Sequence, residues 1–233
     1  MSKFDIMLSD LKVNIQHKYD YVRDFCKGYE AQFDIADIVA VADENAVLAE
    51  KQQVASAPIE ACECLCIYRA IAEQLPQYDR FVFHGAAIKY DGNAYLFTAP
   101  SGTGKTTHIN LWKKNLGDMV QVINGDKPLV SFGNSNIVYG TPWAGKEGYQ
   151  NNISAPIKAI CVLKQSKVNG IVALQPSEAI NRLMQQVYMP QDREALSKTL
   201  GLLGKLIESV PVYELACDMS QQAFETSFNK ITK

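Results

Sequence analysis

Hydrophobic and polar positions change period several times along the chain, and each change predicts an element. In "PIEACECLCIYRAIAEQL", Cys64, Ile67, Tyr68, Ile71 and Leu75 fall at i, i+3, i+4, i+7 and i+11. That spacing predicts a helix over about 58–75 with Pro58 in its first turn. Before it, "IADIVAVAD" reads as a strand, and "ENAVLAEKQQ" fits either a strand or a short helix. Residues 1 to about 78 carry no chemical motif, and "LPQYDR" marks a soft boundary. "RFVFHGAAIKY" then reads as one strand, Asp91-Gly92 as a two-residue hairpin turn, and "NAYLFTA" as the return strand. A glycine-rich loop follows, then a helix with Ile109, Trp112 and Leu116 on one face, ended by Gly117 and Asp118. "MVQVIN" predicts the next strand, closing on Gly125 and Asp126. "PLVSF", a "GNSN" turn and "IVYG" predict a second hairpin, and "PIKAICVLKQ" and "GIVAL" two further strands. Ser177 is expected to cap a helix that buries Ile180, Leu183, Met184 and Val187. A last helix over roughly 191–208 and a final strand "VPVYELA" complete the pattern. The expected architecture is an α/β core with several antiparallel pairs, not a simple alternation of strand and helix.

Composition narrows this picture. A chain of 233 residues holds one large α/β domain, or a core with a smaller accessory piece. The expected division is an N-terminal α/β extension over 1–78, packed on a core over 79–233. A formal net charge of -2 gives no general pull toward nucleic acid or anionic lipid, so neither is an expected partner. "MSKFDIMLSDLK" has no apolar stretch of the signal-peptide kind. No apolar run approaches the ~20 residues of a membrane-spanning helix. The expected location is therefore the cytoplasm, without membrane contact. The six cysteines include no C-x-x-C spacing. Helical residues rotate by about 100° each, so the "CECLC" thiols splay apart. Reduced packing cysteines are expected there rather than a metal site.

The chemistry concentrates in "APSGTGKT", residues 99–106. It fits the phosphate-loop pattern G-x-x-x-x-G-K-[ST], with Ala99 in the first glycine's place. Gly102 and Gly104 let the backbone turn tightly and present N–H groups to phosphate oxygens. The helix beginning near Lys105 aims its positive dipole end at the same anion. Lys105 is placed to reach β- and γ-phosphates, and the Thr106 hydroxyl to ligate Mg²⁺. Ser101, Gly102, Thr103, Gly104, Lys105, Thr106 and Thr107 are the expected nucleotide contacts. Asp126 ends the next strand, where a partner acid sits; its expected work is Mg²⁺ coordination, base chemistry or both, against the alternative of a solvated turn residue. If Asp91-Gly92 is a two-residue turn, 90 pairs with 93, 88 with 95 and 84 with 99. His84 then lies opposite the start of the loop, either to carry a proton or orient the acid, or as a hydrogen-bonded strand-end histidine. His108 reads as structural or solvent-facing, and His17 has no context.

These residues together, "FHGAAI…DGNAYLFTAPSGTGKTT…INGDKPLV", resemble the catalytic domain of HPr kinase/phosphorylase and the phosphate-loop region of ATP-dependent phosphoenolpyruvate carboxykinase. The resemblance covers about residues 80–165. It is stronger to a group of small HPr-kinase-like proteins than to either parent enzyme. It implies an α/β fold: a P-loop core of the HPr kinase/phosphoenolpyruvate carboxykinase type, with a mixed, largely antiparallel sheet and an N-terminal α/β extension. His84-Gly85 matches the family's His-Gly element, and "GTGKTT" looks like the carboxykinase loop. The family's Asp-Asp pair stands here as Gly125-Asp126, and "GTPWAGKEGYQNN" occupies the place of its Glu-Arg-Gly segment. The resemblance implies ATP and Mg²⁺, with transfer of the γ-phosphate to a hydroxyl. The acceptor would be a serine, free or in a protein or peptide, or a small polyol. Asp126, His84, Lys105 and Lys146 are the implied catalytic set, and Thr106, Asp126 and Glu147 the implied metal set. Tyr149, Asn151, Asn152, Tyr188 and Arg193 are weaker candidates for acceptor or nucleotide contacts. A catalytically weak nucleotide sensor acting through a partner is the alternative, favoured by Gly125. The sequence leaves the acceptor, and a homo-oligomer, open.

Overall fold

The protein was studied as a computed structural model that describes residues 1–233. Strands β1 (Ser2–Leu8) and β2 (Leu11–His17) alternate buried and exposed side chains, with Phe4, Ile6, Leu8, Leu11, Val13 and Ile15 inward. Ser9 and Asp10 take positive φ of 51° and 64°, and Leu8 pairs with Leu11 in a tight hairpin. Helix α1 (Tyr21–Phe25), β3 (Glu30–Ala31) and β4 (Ile38–Val41) follow, giving a four-stranded sheet in the order β3-β1-β2-β4. The ambiguous segment is a helix, α2 (Glu44–Gln53), because the Asp43 carboxylate caps it by accepting the Ala46 N–H at 3.0 Å. Helix α3 (Ile59–Gln74) buries Cys64, Ile67, Tyr68 and Ile71 as its periodicity predicts, and also Cys62, Glu63 and Cys66. It is nearly surrounded, in a core built from residues 4–75 and closed by Val82, Leu129 and Trp143 from later in the chain.

The predicted strand over 80–90 is two strands. β5 (Arg80–Val82) and β6 (Ala86–Tyr90) are separated because the N–H groups of the three residues between them go to different partners. Phe83 donates to the Pro128 carbonyl, His84 to that of Gln186, and Gly85 to that of Asp126. Gly85 is required there: a Cβ would stand 2.8 Å from the Phe83 ring and 3.0 Å from the Phe97 carbonyl. β7 (Asn93–Thr98) pairs with β6 in the expected register, 90 with 93 and 88 with 95. The ladder ends at Ala86 with Phe97, however, so His84 is not a strand partner of Ala99.

Helix α4 (Lys105–Leu116), β8 (Val120–Asn124), β9 (Leu129–Ser131), β10 (Ile137–Tyr139), β11 (Ser154–Gln165), β12 (Gly170–Ala173), α5 (Pro176–Leu183), α6 (Arg193–Ser209), β13 (Val212–Cys217) and α7 (Gln221–Ile231) complete the chain. The main sheet runs β5-β9-β10-β11-β7-β6-β8, with β13 on β11 and β12 on β13. Only β7 with β11 and β11 with β13 are parallel; the remaining pairs are antiparallel. The architecture is thus mixed α/β. Alternate residues of the sheet feed two cores. Leu96, Ile160 and Val162 face α5 and α6, and Tyr95, Phe97 and Cys161 face α4 and α7.

Three local expectations are corrected. Ser177 lies inside α5; the helix starts after Gln175, whose N–H is taken by Glu178 at 3.0 Å. α5 stops at Leu183, so Met184 is exposed, and Val187 is buried by an antiparallel bridge to Phe83 instead. The chain does not end on the β13 strand, because α7 packs Phe224 and Ile231 onto the sheet. No helix is long and apolar enough to cross a membrane.

Candidate functional site

The loop after β7 turns on Gly102 (φ 79°) and Gly104 (φ 115°), backbone conformations that favour glycine, and α4 begins at once with Lys105. Lys105 is buried, and its Nζ donates to the Ala99 carbonyl at 2.9 Å. Burial lowers its pKa, with the nearby Asp126 charge acting against that and Lys127 adding to it. A buried cation held by one neutral carbonyl is a strong invitation to an anion.

Asp126 stands at the end of β8, where the sequence placed it. Its position is set by Asn124, a fully buried residue whose Oδ1 accepts the N–H groups of Asp126 (2.8 Å) and Lys127 (2.7 Å). The Asn124 amide in turn donates to Thr141, whose hydroxyl donates to the Lys127 carbonyl at 2.7 Å. One carboxylate oxygen of Asp126 lies 3.2 Å from His84 Nε2, and the other lies 2.7 Å from Lys127 Nζ. Burial pushes this carboxyl up, but the hydrogen bonds from His84 and Lys127 and their charge outweigh it and hold its pKa at about 2. Asp126 is therefore a carboxylate throughout the ordinary pH range. His84 reaches it from the irregular segment between β5 and β6, and not from a strand position opposite the loop.

Ser101, Gly102, Gly104, Lys105, Thr106 and Thr107 meet Gly125, Asp126, Gly145, Lys146 and Glu147 around one cavity of about 420 Å³ with no hydrophobic residue in its wall. The segment 140–153 thus delivers Lys146 and Glu147 to the loop, although they are 40 residues beyond it in sequence. Gly145 has φ 78°, and a Cβ there would lie 3.1 Å from Asp126 Cβ. Gly125 is also fixed by packing. Its N–H donates to the Tyr149 carbonyl at 2.8 Å, and an added Cβ would stand 3.1 Å from the Ala144 carbonyl oxygen. The missing second acid of the resembled pair is thus a position where a side chain would crowd the Ala144 carbonyl and Tyr149.

Other candidates lie elsewhere. Thr103 turns away from this cavity into a neighbouring one, with His108. The Tyr149 hydroxyl donates to Asn110, the Asn151 amide to the Val122 carbonyl, the Asn152 amide to the Gly28 carbonyl and the Tyr188 hydroxyl to Glu73. Arg193 is exposed at the start of α6. His108 is structural: it is buried beside Trp112 and Ser227, and burial lowers its pKa to about 4. The sequence reading missed Asn124 and Lys127. An Asn at a strand end before Gly-Asp is a turn-forming signal, which would have found the first.

The donor set suits an Mg²⁺-nucleotide. A hydroxyl (Thr106) and carboxylates (Asp126, Glu147) are hard oxygen donors, and the loop amides and Lys105 suit phosphate. No group of three or more His, Cys, Asp or Glu gathers to hold a metal. Mg²⁺ bound through one or two carboxylates and phosphate oxygens needs no such group.

A comparison with curated proteins finds no match. Among solved structures, the Hpr(Ser) kinase/phosphatase from Coxiella burnetii is 11% identical, covering 64% of this chain and 94% of its own, with a TM-score of 0.37. That likeness is too distant to inform the site. A family model, SynChlorMet cassette protein ScmC, matches residues 47–233. Its span takes in the glycine-rich loop, Asp126 and the segment carrying Lys146 and Glu147, and the chain belongs to the ScmC family.

Proposed function

We propose that this protein is an ATP-dependent kinase that transfers the γ-phosphate to a hydroxyl acceptor: a serine, free or in a protein or peptide, or a small polyol. Residues 79–233 form its P-loop kinase-like domain of the HPr kinase type, and residues 1–78 an extension packed on it. The observation that carries the reading is the cavity where Lys105, Thr106 and a permanently ionised Asp126 converge. Mg²⁺, when bound, neutralises charge on the β- and γ-phosphate oxygens. Thr106 and Asp126 would hold it, with Glu147 in the same cavity. Lys105 exchanges the Ala99 carbonyl for phosphate oxygens, and the loop amides from Gly102 onward bind the same phosphates.

A carboxylate with a pKa near 2 is a weak proton acceptor at neutral pH. Its contribution is charge and alignment: it orients the metal and the acceptor hydroxyl. The transferring group is loosely bonded in the transition state, so the hydroxyl proton leaves late. His84 takes it, and the Asp126 carboxylate, 3.2 Å from Nε2, stabilises the resulting imidazolium. Lys146 places positive charge on the acceptor side.

Asp126→Asn should keep measurable Mg²⁺-ATP binding and lose on the order of 10²-fold in single-turnover transfer, the scale of a positioned acid or base. Lys105→Ala should weaken ATP binding itself and abolish transfer. Calorimetry and a phosphate-transfer assay over serine, peptides and polyols test both. Wild-type transfer rates in Asp126→Asn would remove this mechanism. A second reading, a nucleotide sensor that acts through a partner, is favoured by the side-chain-free packing at Gly125. Tight ATP binding without transfer to any acceptor would decide for it.

A further inference from the structure

Three strands run parallel side by side in the main sheet: β7, β11 and β13. Their C-terminal ends therefore open on one edge. Ligands of open α/β sheets bind outside such strand ends, where successive loops leave a crevice. The glycine-rich loop follows β7. The loops after β11 and β13 stand next to it, and together the three enclose a second cavity of about 550 Å³. It shares Gly102, Gly104 and Thr107 with the phosphate cavity, so the two meet across the glycine-rich loop.

We propose that this second cavity holds the nucleoside, base and ribose, of the nucleotide whose phosphates occupy the first. The inference rests on the nucleotide reading above and adds where specificity is read. Its walls are fixed in place. Gln165 donates from Nε2 to the Thr103 carbonyl at 3.2 Å, tying the β11 loop to the glycine-rich loop. Ser166 N–H donates to the Cys217 carbonyl at 3.0 Å, tying the β11 loop to the β13 loop. Asp218 Oδ1 accepts from Ser220 N–H (2.9 Å), Ser220 Oγ (2.6 Å) and Asn169 Nδ2 (3.0 Å). Those bonds all fall on one oxygen, which leaves Oδ2 to accept from ribose hydroxyls or an amino group of the base. They also hold the carboxyl below its ordinary pKa, so it is an acceptor at neutral pH. Met219 is 77% exposed at the same rim, an unbranched thioether suited to lie against an aromatic base.

The test compares Mg²⁺-ATP with Mg²⁺-tripolyphosphate by calorimetric titration, in wild type and in Asp218→Ala/Met219→Asp. Both substituted side chains are exposed, and unchanged thermal melting confirms the fold of the variant. The wild type should bind ATP more tightly than tripolyphosphate. The variant should lose about tenfold in ATP affinity, the scale of one hydrogen bond to a charged group, and keep tripolyphosphate affinity within about twofold. Equal ATP affinity in variant and wild type overturns the nucleoside site, and so does a wild type that binds the two ligands equally. In both cases the phosphate cavity stands. If the wild type binds neither ligand, the nucleotide reading falls and this inference falls with it.

Discussion

At the residue scale, the site is a set of polar groups whose partners are chosen by the fold. Asp126 shows this in its pH dependence. Its folded pKa of about 2 lies below the ordinary 3.8, so its contribution to stability is complete above about pH 4 and is lost as pH falls through 2. The amount is on the order of 2 kcal/mol. The stability gap between wild type and Asp126→Asn, from urea unfolding at a series of pH values, should shrink toward acid. A gap that widens there would contradict the assigned partners. Gly125 makes the opposite point. The structure predicts crowding of Gly125→Asp against the Ala144 carbonyl and Tyr149, at a cost of about 1–3 kcal/mol. Thermal melting should show a drop of several degrees, and an unchanged midpoint would show that segment 144–149 yields freely.

At the element scale, the glycine-rich loop is only as firm as the helix it opens. Trp112 is the fastener of α4. It is fully buried, stacks on Tyr95 with ring centroids 5.5 Å apart, meets Phe224 and Phe228 of α7, and donates from Nε1 to Ser227 at 3.2 Å. Trp112→Ala should cost about 3–5 kcal/mol in urea unfolding, a large-to-small change in a packed core. A loss under about 1 kcal/mol would mean that α7 collapses into the space. The helices α3, α4 and α6 and the hairpin at Asp91-Gly92 were legible because period and turn chemistry are local. The 80–90 segment was misread as one strand because its alternation is unbroken. What splits it is hydrogen bonding to Pro128, Gln186 and Asp126, distant in sequence.

At the scale of the whole molecule, one short segment joins the N-terminal core to the candidate site. Trp143 packs with Tyr68 (5.3 Å) and Phe25 (6.4 Å) in the first core, and its own segment carries Gly145, Lys146 and Glu147 to the cavity. Trp143→Ala should therefore lower stability by about 3 kcal/mol and also loosen the cavity wall. Hydrogen exchange reports the second effect: the Gly125 amide, bonded to Tyr149, and the Asn151 amide, bonded to Ile123, should exchange faster. Unchanged protection at both would show that the wall stands without the N-terminal core.

The sequence by itself determined the mixed α/β class, the strand–loop–helix around "APSGTGKT" and the strand-end position of Asp126. Each depends on spacing within a few residues: period, glycine conformation, and the groups that one turn brings together. It also paired β6 with β7 correctly, because a two-residue turn fixes register. Only the tertiary structure decided which partners those groups have. Nothing local in the sequence places His84 on Asp126, closes Gly125 beneath segment 144–149, or sets the β11 and β13 loops beside the glycine-rich loop. Those contacts join residues tens of positions apart, and they follow from how buried backbone and polar groups across the whole sheet find hydrogen-bond partners.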